Sequence, residues 1–430
     1  MSITAIRGFN DIMPDVSGLW QRIDGAARQT FRSYGFSEIR IPVVERTELF
    51  ARGIGEGTDI VEKEMYTFKD RRGDSLTLRP EGTASVVRAY IEHKLYTRAT
   101  SKLYYMGPMF RYERPQKGRY RQFYQIGAEV LGEASPLLDA EVIEMLMLLF
   151  KRLELKGTVL NINSLGCGEC RPGYKSSLME FLESRRKALC ENCQRRIDAN
   201  PLRALDCKSA HCIEATDDGP SIVDHICDEC QLHFEAVMSY LNQSGIEPVV
   251  NPRMVRGLDY YSKTTFEITG EGLGAQNTVA AGGRYDGLVK ELGGPATPCF
   301  GFAIGVERLA LLLNDHYYAK EPLIFVAILG GGEIAERGRG IVRTLRESGF
   351  AVERDYGGGG LKGQMKRAHK VGASSVIIVG EDEVARGVVA VKDMVSGEQR
   401  DVSLSEFEGT IGETFKECIT TGIPPHGEGR

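Results

Sequence analysis

Residues 104–132, YYMGPMFRYERPQKGRYRQFYQIGAEVLG, hold the densest group of side chains that could do chemistry. Successive residues of a strand point to opposite faces. In the first run Met109, Arg111 and Glu113 therefore share one face, and Phe110 and Tyr112 take the other. In the second run Tyr124, Ile126, Ala128 and Val130 form an apolar face, while Phe123, Gln125, Gly127 and Glu129 form a polar one. Pro115 and Gly118 interrupt the pattern, which predicts an antiparallel hairpin with a long loop. Arg111, Glu113, Phe123, Gln125 and Glu129 would then share a face too polar to bury unless a ligand satisfies it. An arginine suits phosphate, an aromatic ring suits a base, and carboxylate and amide groups suit an ammonium. The plain alternative is a solvated strand face. Against it stands the loop 111–121, where five basic residues (Arg111, Arg114, Lys117, Arg119, Arg121) face one acid, Glu113, in a chain of net charge −5. A local cationic excess of this kind is the footprint of a phosphate or nucleic-acid contact.

A second concentration is metal-like. Residues 167–230 carry eight of the ten cysteines: Cys167 and Cys170, Cys190 and Cys193, Cys207 and Cys212, Cys227 and Cys230. The first two pairs are C-x2-C motifs separated by nineteen residues, close to the spacing of tetrahedral zinc sites. Cys167, Cys170, Cys190 and Cys193 are therefore the expected ligands of a structural Zn2+. Reduced structural thiols fit the same pattern, and the pairing among the eight stays open.

The segment FRYERPQKGRYRQF resembles motif 2 of the class II aminoacyl-tRNA synthetases, in the form found in histidyl-tRNA synthetases. RGLDYYSKTTFEI at 256–268 is similar to a signature of the histidine enzymes, GFAIGVERL at 301–309 to motif 3, and GFSEIRIPVVE at 35–45 to motif 1, whose proline (Pro42 here) lies at a dimer interface. The resemblance implies histidine, ATP with Mg2+ and tRNA(His) as ligands, a homodimer, and formation of histidyl-adenylate and pyrophosphate before transfer to the tRNA 3′ end. It implies Arg256 and Arg111 as catalytic cations, Arg256 also holding the substrate carboxylate, and Glu81, Gly82 and Thr83 at the substrate amino group. The same Glu81 and Thr83 could simply cap the following helix. A neutral imidazole needs an acceptor on one side and a donor on the other. Glu129 can accept and Tyr261 can donate, with Gln125, Tyr260, Gly282, Gly283 and Tyr285 completing the floor and the glycines leaving room for a flat ring. ATP would meet Arg111, Glu113, Arg119, Phe123 and Arg308, the last near the γ-phosphate. The alternative is a synthetase-like regulatory subunit of ATP phosphoribosyltransferase, which lacks a C-terminal domain. A zinc-stapled nucleic-acid-binding module would account for the cysteines alone.

These residues need a scaffold. The chain's 430 residues allow roughly two to four domains. With 42% apolar and 26% charged residues the composition is that of a globular protein. No run approaches a membrane span and no targeting segment is evident, which places the chain in the cytoplasm. Val16, Leu19, Trp20, Ile23, Ala27 and Phe31 predict an amphipathic helix over 15–33 stopped at Gly35. A helix is expected over 83–95 after Arg79-Pro80, and another capped by Asp139. The expected fold is an α+β class II core on an antiparallel sheet (1–320), a mainly helical cysteine-rich insertion (about 166–245), and a C-terminal α/β anticodon-binding domain with a mixed sheet (323–415). The insertion would clamp the tRNA acceptor arm, and loss of its metal should spare adenylation more than charging. The glycine runs at 330–332 and 357–360 do not fit a phosphate loop and are read as turns. The tail after about 415 is expected to be loose.

Overall fold

The computed structural model describes residues 3–55, 58–97, 100–207, 209–255, 258–274, 277–313 and 322–407, apart from the side chains at 196 and 199. The chain divides into two compact units, Met1–Tyr317 and Tyr318–Arg430. The first is built on an eight-stranded sheet in the order Ser37–Glu38, Ser101–Phe110, Gln122–Leu131, Cys299–Gly305, Thr278–Arg284, Ser262–Gly270, Thr158–Ser164, Val249–Val250. The six inner strands are mutually antiparallel, and a two-residue strand lies parallel at each edge. The predicted hairpin is there, in register from Ser101 opposite Leu131 to Phe110 opposite Gln122. Its ladder stops at Phe110, so Arg111 and Glu113 belong to the loop rather than to the strand face expected for them. Pro115 and the left-handed Gly118 (φ 72°) lie in that loop.

Period-2 alternation decides which side of the sheet each hairpin residue serves. Ile126, Ala128 and Val130 enter one core with the helices Pro14–Ser33 and Pro136–Arg152. Tyr105, Met109 and Leu131 enter a second core on the opposite face. The helix Pro14–Ser33 buries Leu19, Ile23, Ala27 and Phe31, one stripe of the expected face, and Gly35 at φ 78° ends it. The helix after the loop at 79–82 spans Thr83–Glu92, shorter than expected, and Lys94 follows at φ 52°.

Asp139 does not cap its helix. Ser135 does, accepting from the Leu137 amide at 3.2 Å, with Pro136 in the first turn. Asp139, fully buried, instead pairs with Arg284 at 2.7 Å and with His233 Nε2 at 2.8 Å. A buried carboxylate needs such partners, and the sequence offered them only from strands and helices far along the chain.

The cysteine-rich insertion is mainly helical, with helices Cys170–Ser184, Glu191–Ala199, Leu202–Leu205, Ala210–Ala215 and Asp228–Gln243. Tyr174, Leu178, Leu182, Leu189 and Ile197 bury themselves in the same core as Tyr105, Tyr260 and Tyr285. Val237 and Leu241 of its last helix join the other core.

The second unit has a five-stranded mixed sheet in the order Ala351–Arg354, Leu323–Leu329, Ser375–Gly380, Val388–Asp393, Gln399–Ser403, the first three parallel and the last two joined antiparallel. Helices Gly332–Glu347 and Leu361–Val371 connect the parallel strands. The glycine runs lie at helix starts: Gly332 has φ 54°, and the Gly359 amide donates to Asp355 at 3.1 Å. Residues 314–321 and the tail from 408 fall outside the described residues.

Candidate active site

Glu129 anchors the site. It is fully buried on the polar face of Gln122–Leu131. The Thr83 hydroxyl donates to its Oε1 at 2.7 Å and the Tyr285 hydroxyl to its Oε2 at 2.5 Å. Burial lifts its pKa from 4.5 to about 8, with Tyr285 and Thr83 pulling the other way and the nearby Glu81 adding to the rise. Glu81 is also buried, which raises its pKa, and it accepts from the Thr83 amide at 2.7 Å and the Ala84 amide at 2.8 Å. It therefore satisfies donors of the helix start, the capping role that the sequence had left beside the ligand role. Thr83 is drawn to Glu129 instead.

Around Glu129 stand tyrosines. Tyr260 and Tyr261 lie 4.7 Å apart between ring centroids, and Tyr260 meets Tyr285 edge-on at 5.6 Å. Sequence reasoning missed Tyr105, whose ring occupies the space a side chain would need at both Gly82 and Gly127. A Cβ at either position would lie within 2.3 Å of that ring. The signal was available: Tyr105 stands opposite Gly127 across the hairpin, on the face of Glu129. Its hydroxyl and Gln125 Oε1 are buried without a hydrogen-bond partner among the described residues, and buried polar atoms rarely stay so. The expected roominess of Gly282 and Gly283 is not found. A Cβ on Gly282 would strike the Gly301 carbonyl at 2.2 Å, and one on Gly283 the Thr264 carbonyl at 2.5 Å, so these glycines let neighbouring strands close up.

The loop and the helix Val306–Leu313 build the cationic part. Arg111 donates from Nε to the Pro80 carbonyl at 2.9 Å and lies 5.3 Å from the centre of the Phe123 ring. Arg119 is ion-paired with Glu113. Arg308 reaches the Thr278 carbonyl at 2.7 Å and the Gly118 carbonyl at 3.3 Å, tying the loop to the sheet. Burial lowers the pKa of Arg308, and Arg119 and Arg111 lower it further. Burial lowers that of Arg119 too, with Glu64 pulling the other way and Arg111 adding to the shift. Three guanidiniums that repel one another are a place where an anion is stabilised. Next to them, Glu307 accepts from the Tyr124 amide at 2.9 and 3.1 Å, and burial raises it to about 7. Arg256 falls outside the described residues.

The structure replaces the expected zinc ligand set of Cys167, Cys170, Cys190 and Cys193. Two groups form instead, Cys167/Cys170/Cys227/Cys230 and Cys190/Cys193/Cys207/Cys212, each with its four sulfurs within 4.8 Å of one another. Each could hold a metal ion. The nineteen-residue spacing misled because each C-x2-C pair finds its partners from another turn of the fold.

An antiparallel sheet bearing an arginine-rich hairpin loop, closed by a helix that carries Arg308, defines a class II aminoacyl-tRNA synthetase core. Residues 8–309 match the family described as "Histidyl-tRNA synthetase", and residues 324–414 match "Anticodon binding domain". The chain belongs to the histidyl-tRNA synthetase family. A "Histidine--tRNA ligase" of Trichlorobacter lovleyi is 57% identical, covering 98% of this chain and 99% of the relative. One of Geobacter sulfurreducens is 55% identical over 94% and 98%. The crystal structure of apo S. aureus histidyl-tRNA synthetase superposes with a TM-score of 0.78 at 36% identity, covering 95% of this chain and 99% of that one. A Bacillus halodurans ATP phosphoribosyltransferase regulatory subunit/histidyl-tRNA synthetase, 21% identical with a TM-score of 0.65, shares the fold. The regulatory-subunit alternative is not favoured, because the full-length relatives include the C-terminal unit. Among the described residues no helix is long and apolar enough to cross a membrane.

Proposed function

We propose that the tyrosine-lined pocket at Glu129 binds L-histidine and that the arginine-ringed loop beside it binds ATP. The chain is an ATP-dependent histidine–tRNA ligase: it joins histidine to AMP, releasing pyrophosphate, and passes the histidyl group to the 3′ end of tRNA(His). The observation that carries the pocket assignment is a fully buried carboxylate held by two hydroxyls, on the sheet face that also bears the Tyr105 hydroxyl and Gln125 oxygen, unpartnered among the described residues. An imidazole fits such a site. Its N–H donates to Glu129, and its other nitrogen accepts from Tyr261, with Tyr260 and Tyr285 against the ring. Glu81, Gly82 and Thr83 face the substrate ammonium.

In the first step the histidine carboxylate attacks the α-phosphorus, and the bond to the bridging oxygen of pyrophosphate breaks. Both reactants are anions, so cations must neutralise the charge that gathers at phosphorus. Arg111 serves there with Arg256, which the family resemblance also assigns to the carboxylate. Arg308 and Arg119 hold the outer phosphates, with Glu113 orienting Arg119 and Phe123 stacking on the base. Mg2+ accompanies ATP and supplies further countercharge. We further assign a homodimer with Pro42 at its interface, an anticodon-binding role for the second unit, a cytoplasmic location, and zinc in the cysteine groups, since thiolate sulfur selects it. Histidine-dependent ATP–pyrophosphate exchange tests the assignment. Exchange that any other amino acid supports as well as histidine would remove it.

A further inference from the structure

We infer that the insertion binds two zinc ions at separate, nested tetrathiolate sites, and that the outer one holds the histidine pocket in shape. The second half rests on the reading of the pocket above.

Four thiolates about 2.3 Å from a tetrahedral zinc stand about 3.8 Å from one another. The sulfurs here are 3.5 Å apart for Cys167 and Cys170, 4.0 Å for Cys167 and Cys227, and 3.9 Å for Cys190 and Cys207. An iron–sulfur cluster, whose cysteines bind different irons, would spread them further than the 4.8 Å limit met by both groups. Backbone amides point at sulfur in both: Cys227 N lies 3.1 Å from Cys170 Sγ, and Cys190 N 3.1 Å from Cys212 Sγ. Such donors stabilise thiolate over thiol. Gly166 makes the first knuckle possible. At φ 61° it adopts a conformation that side chains avoid, and a Cβ there would lie 2.6 Å from Cys170 Cβ.

The sites are nested, not crossed: all four inner cysteines, 190 to 212, lie within the loop closed by Cys170 and Cys227. The outer site is fastened to the catalytic sheet. Leu165 N donates to the Lys263 carbonyl at 2.7 Å, and Lys263 N to the Gly166 carbonyl at 2.8 Å. Lys263 Nζ pairs with Glu229 at 2.7 Å, between Asp228 and the ligand Cys230. A zinc tetrathiolate is doubly negative. Arg171, next to Cys170, places its charge beside Asp259 and beside Cys167 and Cys170, and it donates to the Leu165 carbonyl at 3.4 Å and to the Tyr261 carbonyl. Cys167, Arg171, Tyr260, Tyr261 and Lys263 share the wall of one cavity of about 400 Å³. The metal therefore joins Asp259 and Leu165 in holding Arg171, and Arg171 holds the backbone of the tyrosine assigned to the imidazole. On this inference metal loss impairs adenylation along with charging, because side chains of the insertion and of the pocket share one core.

The test uses the full chain purified without chelator. Metal analysis should find two zinc ions per chain, falling to one in Cys193→Ser and to one in Cys230→Ser. One or none in the unaltered protein, with at least four of the eight thiols freely alkylated, overturns the two-site inference whether or not the variants fold. Arg171→Gln should keep both zinc ions, raise the histidine KM in pyrophosphate exchange about tenfold, and leave the ATP KM within about twofold, as expected when one binding group is displaced. An unchanged histidine KM overturns the link to the pocket. Absence of exchange in the unaltered protein would overturn the pocket reading and the link with it, while the zinc count decides the sites separately.

Discussion

Replacing Glu129 by glutamine separates a carboxylate kept for binding from one kept for the fold. Its pKa rises from 4.5 to about 8 because it is buried, so between those values the folded state holds a proton that the unfolded state releases. Stability then falls as pH climbs from 4.5 through 8. The cost is roughly 1 kcal/mol at pH 5.5 and roughly 3 kcal/mol at pH 7. Glutamine removes that cost. It also offers one acceptor where Thr83 and Tyr285 now donate to separate oxygens, which takes back about 1 kcal/mol. Glu129→Gln should therefore be nearly neutral at pH 5.5 and about 2 kcal/mol more stable than the unaltered protein at pH 7. Trp20 is the only tryptophan, packed edge-on against Tyr124 at 5.1 Å, so its fluorescence during urea unfolding reports the catalytic unit. In pyrophosphate exchange the variant should raise the histidine KM by about tenfold, the scale of one lost hydrogen bond, and leave ATP affinity unchanged. Destabilisation by similar amounts at both pH values, with histidine and ATP weakened alike, would refute the reasoning and make Glu129 a structural residue. A residue whose removal stabilises the fold and disables binding is one kept for function.

Other positions give sharper single tests. Asp139→Asn leaves the Arg284 guanidinium, 1% exposed, with Asp286 at 3.3 Å as its remaining carboxylate; urea unfolding followed by Trp20 should show a loss of roughly 3 kcal/mol, and a loss under about 1 kcal/mol would mean Asp286 suffices. Gly127→Ala would drive a methyl into the Tyr105 ring; it should cost about 1–3 kcal/mol in stability and weaken histidine binding in calorimetry, whereas wild-type affinity would show that Tyr105 moves aside freely. Arg256→Ala should slow adenylation by about 10²-fold or more with zinc content intact, and a rate within a few-fold of the parent would reduce Arg256 to a structural arginine.

What could be read from the chain depended on how local the cause was. Period-2 alternation in Gln122–Leu131 set Glu129, Gly127 and Gln125 on one face, and spacing in Pro14–Ser33 set its buried stripe; both are decided by neighbours a few residues away. The end of the hairpin ladder at Phe110 was not legible, because Pro115 and Gly118 mark the turn but not where pairing stops. Arg111, Glu113, Arg119 and Arg308 were found as types, yet which carbonyl or carboxylate each one meets depends on Pro80, Thr278 and Gly118, brought together by three separate elements. Asp139 was misread for the same reason, since a local cap was the only partner visible and Arg284 and His233 come from far along the chain.

The cysteines carry this argument furthest. Metal chemistry constrains the number and type of ligands, and both are written in the sequence; it places no constraint on which pairs meet, because a flexible chain closes a long loop at little more cost than a short one. Doubling a loop costs only about 0.6 kcal/mol, too little for spacing to choose between Cys190 and Cys227 as partners of Cys167 and Cys170. The choice is made by packing. Tyr174, Leu178 and Leu182 run the helix Cys170–Ser184 back along the core, and the chain returns at Cys227 with Asp228–Gln243 laid against Pro136–Arg152. The outer pair of knuckles meets because both ends of the insertion are rooted in the catalytic sheet, and for that reason a metal held there cannot be indifferent to the pocket the sheet supports.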